Sequence, residues 1–292
     1  MVKKNRLKAI LGFVVAGSCL LYFGNTVMAA AAVDDISAVK DKDRVELSAQ
    51  KQSELFGEAG APKTAQDADF NDTMNRLIYG EIYQTGNLTD QQRELVTLVV
   101  LATNQNMELF KDHVGAALKA GATPVEIKEA MYQCTPYIGF PKAMAALDQV
   151  NVVFKKKGIS LPIKSQKQVT EETRFSKGLQ VQKGIFGDMI DKMRANAPEN
   201  QKQLQDYLSA YCFGDTYTRG GLDLKMRELL TFTAIASLGG CENQLRGHIK
   251  GNVSVGNTKE TLISTITVCM PYIGFPRTLN ALACVNEIIP EK

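Results

Sequence analysis

Histidine is scarce in this chain, which has only His113 and His248 among its 292 residues. The two lie far apart and show no metal-ligand spacing, so a histidine-based metal cluster is excluded. The chain also lacks a glycine-rich phosphate loop and the glycine fingerprint of a dinucleotide-binding fold. No alternating apolar run is long enough to favour a β-strand. These absences predict an all-α protein with no cofactor and no metal.

The amino terminus has the features of a secretory signal peptide. Four basic residues among the first eight precede an apolar stretch at residues 9–23, and small residues at 27–29 offer a cleavage site. We therefore predict a signal peptide at residues 1–29 and an exported protein, either periplasmic or secreted. An uncleaved anchor and lipid attachment at Cys19 are the alternatives.

Cleavage of the signal peptide would change both the charge and the cysteine count. The full chain has 34 basic and 31 acidic residues, and removal of residues 1–29 takes away four basic ones, which leaves a net charge of −1. This balance disfavours a nucleic-acid surface, and we expect no membrane contact after cleavage. Five cysteines would remain, which is too few for a disulfide scaffold and leaves at least one thiol unpaired within the chain.

Both histidines lie at the same place in a repeated pattern. Each follows an Arg-Glu-Leu triplet, at residues 93–95 and 227–229, and precedes a Pro-Tyr-Ile-Gly-Phe-Pro hexapeptide, at 136–141 and 271–276. The triplets are offset by 134 residues and the histidines and hexapeptides by 135, because the second copy has one extra residue at Gly239-Gly240. The repeat predicts two tandem helical domains. The predicted divisions are a flexible leader at 30–44, copy one at 45–157, a linker at 158–171 and copy two at 172–292.

Apolar periodicity and capping signals place the helices of copy one. Residues 91–103 are apolar on almost every side, which predicts a buried central helix. Thr123, Pro124 and Glu126 form a capping-box pattern that predicts a helix to about Cys134, where the hexapeptide interrupts it. Copy two repeats this order of elements.

These residues resemble the carboxymuconolactone decarboxylase family, which shares its fold with the alkylhydroperoxidase D-like proteins. The resemblance is carried by Arg-Glu-Leu at the start of an apolar helix, a polar or glycine break, a helix that bears histidine, and a Gly-Phe-Pro turn. It covers the chain from about Val45 to the carboxyl terminus, in two copies. It implies two compact helical domains and a homo-oligomeric assembly, of which a trimer is one form found in the family.

The resemblance also implies site residues. In the peroxidase branch a Glu and a His flank a Cys-x-x-Cys pair and form a proton relay with it, and the Glu94–His113 and Glu228–His248 spacings fit that relay. The cysteine pair itself is missing: its places hold Asn106 and Leu109 in copy one, and Cys241 and Gln244 in copy two. A standard dithiol peroxidase is therefore disfavoured.

Cys241 follows two glycines, so we expect it at the start of a helix, a position that favours a thiolate. His248 follows it by two helical turns, which is about 10 Å along the helix. A small residue that fills a tight helix start is the structural alternative for Cys241. For Cys134 and Cys269 we expect buried, inert thiols.

The favoured hypothesis is a cofactor-independent decarboxylase that acts on a small carboxylate or lactone through Glu/His acid–base chemistry. The alternatives are a thiol peroxidase with peroxiredoxin-like activity at Cys241, and a non-catalytic helical assembly module. The divergence of the copies favours the second as the working site. The predicted catalytic residues are His248, Glu228, His113, Glu94 and Cys241. Arg227 and Arg93 are predicted carboxylate binders, with solvated charges as the alternative.

Overall fold

The computed structural model describes residues 43–291. Within this range all regular secondary structure is helical, which confirms the all-α prediction. The predicted signal peptide and most of the predicted leader lie outside the described residues, so export stays a prediction. No helix in the described range is both long and apolar enough to span a membrane.

Copy one contains six α-helices and a short π-helix, together with two single-turn 3-10 helices at Gly57–Ala59 and Ile82–Gln84. The predicted buried helix begins after Thr89, which caps it together with Gln92, and the predicted capping box at Thr123 and Glu126 is present. The elements of copy one are α1 (Arg44–Phe56), α2 (Ala68–Asn75), π1 (Arg76–Glu81), α3 (Asp90–Asn104), α4 (Met107–Lys119), α5 (Pro124–Ile138) and α6 (Phe140–Lys156).

Copy two repeats this order after a segment without helix. A π-helix again stands just before the central helix, and it is longer than its counterpart in copy one. The elements of copy two are α7 (Arg174–Phe186), α8 (Met189–Ala195), α9 (Lys202–Tyr207), π2 (Leu208–Tyr217), α10 (Leu224–Leu238), α11 (Glu242–Ser254) and α12 (Lys259–Ile288).

The break in each hexapeptide lies later than the sequence indicates. Helix α5 does not end near Cys134; it continues through Pro136 to Ile138 and ends at Gly139, whose φ is 85°. In copy two the equivalent Gly274, with φ 74°, kinks α12. Glycine adopts a positive φ at little cost. Pro136 lies inside the last turn of α5, where it removes one backbone hydrogen bond but does not end the helix. The turn is therefore made by the glycine, not by the first proline.

The two copies share one hydrophobic core. The central helix α10 of copy two packs against α3 and α5 of copy one, and α12 packs against α3. A single cluster of buried apolar side chains contains residues of both copies, from Leu95 and Val99 to Phe232 and Val285. Burial at this scale is the main favourable contribution to folding. The contact brings α5 of copy one next to the histidine-bearing half of copy two.

Candidate functional site

Copy two holds a buried hydrogen-bonded group around His248. Its Nδ1 lies 2.9 Å from Oε2 of Glu228, which comes from the neighbouring helix α10. The hydroxyl of Tyr217 donates to the other carboxylate oxygen over 2.7 Å. Burial raises the pKa of Tyr217 well above its ordinary value, so its hydroxyl keeps the proton that it donates. Both oxygens of Glu228 are thus occupied, and Nε2 is the ring nitrogen left for another partner.

His248 lines a cavity of about 520 Å³, a volume typical of small-molecule sites. The cavity lies between α7, α8, π2 and α11, and α5 of copy one closes one side. The cavity wall also contains Cys241, Gln244 and Cys212. Most of the remaining lining is apolar and includes Met189, Ile190, Met193, Leu204, Leu208 and Phe213.

Copy one has the same histidine–glutamate bond, but its histidine is closed off from solvent. His113 Nδ1 lies 2.9 Å from Glu94 Oε2, and Tyr83 donates to the other oxygen of Glu94. The side chain of His113 is only 2% exposed, against 14% for His248. The structure therefore brings together both predicted Glu–His pairs, but only the second one faces a cavity of this size.

Each histidine is contacted by the hexapeptide tyrosine of the other copy. Tyr137 of copy one meets the His248 ring edge to face, with the ring centres 5.4 Å apart. Tyr272 of copy two meets His113 in the same way at 6.2 Å. From the sequence the hexapeptide is predicted only to form a turn. The same tyrosine occurs in both hexapeptides, and this repetition is the sequence feature that could have indicated its contact with a histidine.

A chain of buried side chains leads from Arg227 to Glu228. Arg227 donates to the Oε1 of Gln133 over 2.9 Å, and the amide of Gln133 donates to Thr231 over 3.1 Å. Thr231 lies 2.9 Å from the hydroxyl of Tyr217, which donates to Glu228. Tyr217 donates its only hydroxyl proton to Glu228, so in the bond between Tyr217 and Thr231 the Thr231 hydroxyl is the donor. Every bond of the chain thus points toward the carboxylate.

This series of hydrogen bonds occurs at the second site and not at the first. Gln133 comes from copy one, and the residue at its place in copy two is Val268, which has no polar group to offer to copy one. Gln133, Thr231 and Tyr217 were not predicted from the sequence. The role of Tyr217 could have been found from the repeat, because Tyr83 stands at the equivalent place 134 residues earlier. The repeat gives no such indication for Gln133, because this residue enters the site from the other copy.

Helix α11 is held close to α10 directly behind the histidine. The Asn252 amide donates to the backbone oxygens of both Glu228 and His248, at 3.0 and 2.7 Å. A Cβ on Gly251 would lie 2.7 Å from Oε2 of Glu228, so a larger residue here would have to displace the carboxylate from its present position. The equivalent residues of copy one are Ala117 and Ala116.

Comparison with known proteins shows the family to which this chain belongs. The carboxymuconolactone decarboxylase family matches it twice, at residues 68–151 and 202–287, which is more than half of its length. The chain belongs to this family. The two matches also confirm the tandem arrangement, and each contains one Glu–His pair.

Proteins similar to this chain include two decarboxylases. The 4-carboxymuconolactone decarboxylase of Acinetobacter baylyi is 27% identical over 124 residues, which cover 42% of this chain and 92% of the relative. The nitrosuccinic acid decarboxylase of Metarhizium robertsii is 25% identical over 116 residues, or 39% of this chain and 80% of the relative. An uncharacterized 15.0 kDa protein of Paracoccus denitrificans is 36% identical over 81 residues, 27% of this chain and 60% of that protein. These similarities support a decarboxylase-like activity at the level of the family.

The two arginines expected to bind a carboxylate do not reach the cavity. Arg93 is buried and donates to the backbone oxygens of Leu88, Ile82 and Thr85. Arg227 is fully buried and pairs with Glu129 over 3.1 Å in addition to its bond to Gln133. A guanidinium group with several internal acceptors is not free for a ligand. In this geometry both arginines support the fold.

The cysteines separate into one accessible and several buried thiols. Cys241 stands at the N-cap position of α11 and lines the cavity, in agreement with its predicted place at a helix start. Cys134 and Cys269 are buried, and burial raises the pKa of both thiols, to about 12 for Cys134. Burial also raises the pKa of Cys212 to about 12, and its sulfur lies 3.5 Å from the hydroxyl of Tyr137. In the described range no cluster of three or more His, Cys, Asp or Glu side chains could hold a metal ion.

Proposed function

We propose that this protein is a cofactor-independent decarboxylase whose working site is the cavity of copy two. The observation that supports this most directly is the contrast between the histidines. His248 is bonded to Glu228 and lines a cavity of about 520 Å³, whereas His113, bonded in the same way to Glu94, is buried. An acid–base pair can act only where a substrate can reach it. Copy one then serves as a scaffold that supplies Tyr137 and Gln133.

In the proposed reaction the bond between the carboxylate and the adjacent carbon breaks. Its electron pair moves into a neighbouring carbonyl group to form an enolate, and carbon dioxide leaves. The proton on Nε2 of His248 passes to the enolate carbon, and the neutral histidine regains a proton from water. Glu228 holds the ring through Nδ1, so that Nε2 faces the substrate in both protonation states. The apolar wall contributes by removing water from the carboxylate before it leaves.

The experiment is a measurement of carbon dioxide release from 3-oxo acids and carboxylated lactones. The protein is dialysed against EDTA, because the proposed reaction needs no metal. We expect turnover that dialysis does not reduce. Release that is lost on dialysis and restored by a metal would contradict the cofactor-independent reaction. If the folded protein releases carbon dioxide from none of the tested acids and lactones, the non-catalytic assembly module is favoured.

A thiol peroxidase is the second candidate, because Cys241 lines the same cavity as His248. The Cys241 thiolate would attack the O–O bond of a peroxide, release water or an alcohol, and become a sulfenic acid. A reducing thiol would then displace water and form a disulfide. This candidate predicts that Cys241→Ser abolishes thiol-dependent peroxide consumption. The Cys284→Ser variant is the control, because Cys284 lies in α12 and does not line this cavity.

We further propose that the protein forms a homo-oligomer. Each copy exposes the same pair of large apolar side chains on the helix that follows the hexapeptide glycine: Phe140 and Met144 in copy one, Phe275 and Leu279 in copy two. Exposed apolar patches of this kind mark association surfaces. Light scattering of the purified protein should give a mass of two or more chains. A monomer at micromolar concentration would contradict the proposal.

A further inference from the structure

The wall of the copy-two cavity is almost without charge, and this bears on the substrate. Among the described side chains that line it there is no Lys, Arg, Asp or Glu. His248 is the one lining group that can carry a positive charge. A carboxylate moved into an apolar environment without a cationic partner is strongly disfavoured. Glu228 occupies only the Nδ1 of His248, so the remaining Nε2–H can hold one carboxylate and not two.

The nearby arginines do not change this balance. Arg194 follows the cavity residue Met193 in α8, but its guanidinium is occupied by Asp206, by the backbone oxygen of Gln205 and by Ser209. Arg227 is fully buried and paired with Glu129. Neither of these two arginines is therefore available to a ligand in the cavity.

The rim of the cavity is also apolar. Leu204 is 64% exposed and Tyr207 is 53% exposed, and both line the cavity. Exposed side chains of this kind are available to an apolar group that enters from solvent. We infer that the site binds acids with a single carboxylate and an apolar body, such as an aryl or branched alkyl group, and excludes dicarboxylic acids. This inference rests on the proposed use of this site, and it names the substrate class for it.

The first test is binding, because it does not depend on turnover. Calorimetry is carried out on the full-length protein with three acids that cannot decarboxylate by this route: 4-phenylbutanoate, butanoate and glutarate. We expect 4-phenylbutanoate to bind about 100-fold more tightly than glutarate, and more tightly than butanoate as well. Equal binding of glutarate, or no binding of 4-phenylbutanoate, would overturn the inference.

The second test adds a cation at the rim. Leu204→Arg should raise the affinity for glutarate roughly 10-fold, because the second carboxylate then has a partner. Position 204 is exposed, so the substitution does not disturb the core. Phe70→Arg is the matched control: Phe70 stands 134 residues earlier in copy one and is 61% exposed. An equal gain in both variants would mean that glutarate binds to the surface, and this would also overturn the inference.

The two proposals can fail separately. If 4-phenylbutanoate binds selectively but no acid releases carbon dioxide, the decarboxylase proposal fails and the ligand class stands. If a dicarboxylic acid is decarboxylated faster than any monocarboxylic acid, the ligand class fails and the decarboxylase proposal stands. Both outcomes are read from the same protein preparation.

Discussion

Tyr137 of copy one lies edge to face against the ring of His248 of copy two, with ring centres 5.4 Å apart. Its hydroxyl is 3.2 Å from that of Tyr217, which donates to Glu228. The accessible Glu–His pair is therefore completed by a side chain from the other half of the chain. The duplication does more than repeat a domain, because one copy supplies part of the wall of the other copy's cavity.

Tyr137→Phe keeps this ring contact and removes the hydroxyl. One neutral hydrogen bond contributes about 1 kcal/mol, so we expect a loss of about 5-fold in kcat/KM for carbon dioxide release. Tyr272→Phe makes the same change at the buried pair of copy one and should leave kcat/KM within about 2-fold of wild type. Steady-state kinetics of both variants checks this. Equal losses in the two variants would remove the distinction between the copies.

Arg227 should matter for stability more than for ligand binding. Arg227→Leu removes the partner of Gln133 and one of two partners of Glu129, all in the interior. Loss of one member of a buried ion pair costs about 3 kcal/mol in the free energy of unfolding. Arg246→Leu is the control, because its pair with Glu287 is exposed and is expected to contribute less than about 1 kcal/mol. Urea unfolding curves measure both; similar midpoints would contradict the structural role.

Alkylation should distinguish the accessible cysteine from the buried ones. Brief treatment of the folded protein with iodoacetamide near pH 8 is expected to modify Cys241, which lines the cavity. Cys134, Cys212 and Cys269 are buried, and burial raises the pKa of each thiol, so they should react only after denaturation. Peptide mass spectrometry gives the extent at each site. Modification of Cys212 as fast as Cys241 would show that the cavity wall is more open than described.

Alkaline pH should destabilise the fold through its buried tyrosines. Burial raises the pKa of Tyr79, Tyr83, Tyr137, Tyr217 and Tyr272 in the folded protein above the ordinary value. Their contribution is complete below about pH 10, where both states keep the proton. Above that pH the unfolded chain releases protons that the folded chain retains, so the free energy of unfolding falls as pH rises.

Phenolate absorbance and circular dichroism, followed together from pH 9 to about pH 12, check this expectation. The phenolate signal of these five residues should appear only as the helical signal is lost. Complete titration of all tyrosines in a protein with unchanged helical signal would show that the five are accessible to solvent.

Sequence reasoning recovered the parts of this molecule that depend on local patterns. Capping by Thr123, the buried character of α3 and the Glu–His spacings are all encoded within a few turns of helix, and the doubling made them recognisable. The predicted end of α5 near Cys134 was wrong, because the decisive residue is Gly139 and not Pro136.

What sequence reasoning missed depends on contact between the copies. Gln133 and Tyr137 reach the second site from a helix about a hundred residues away, and no periodicity reports such a contact. Arg227 was interpreted from its charge as a ligand binder, whereas its burial and its pairing with Glu129 arise from packing. The different exposure of His113 and His248 likewise depends on the cavity wall formed by α8 and π2.

The central claim is that His248, and not His113, performs the chemistry. The most direct test is kcat/KM for carbon dioxide release by His248→Ala and His113→Ala, measured on the acid that wild type turns over fastest. Loss of a general acid should lower the value for His248→Ala by about 100-fold or more. His113→Ala should retain activity close to wild type, with circular dichroism confirming that both variants are folded. Wild-type rates in His248→Ala, or an equal loss in both variants, would contradict the claim.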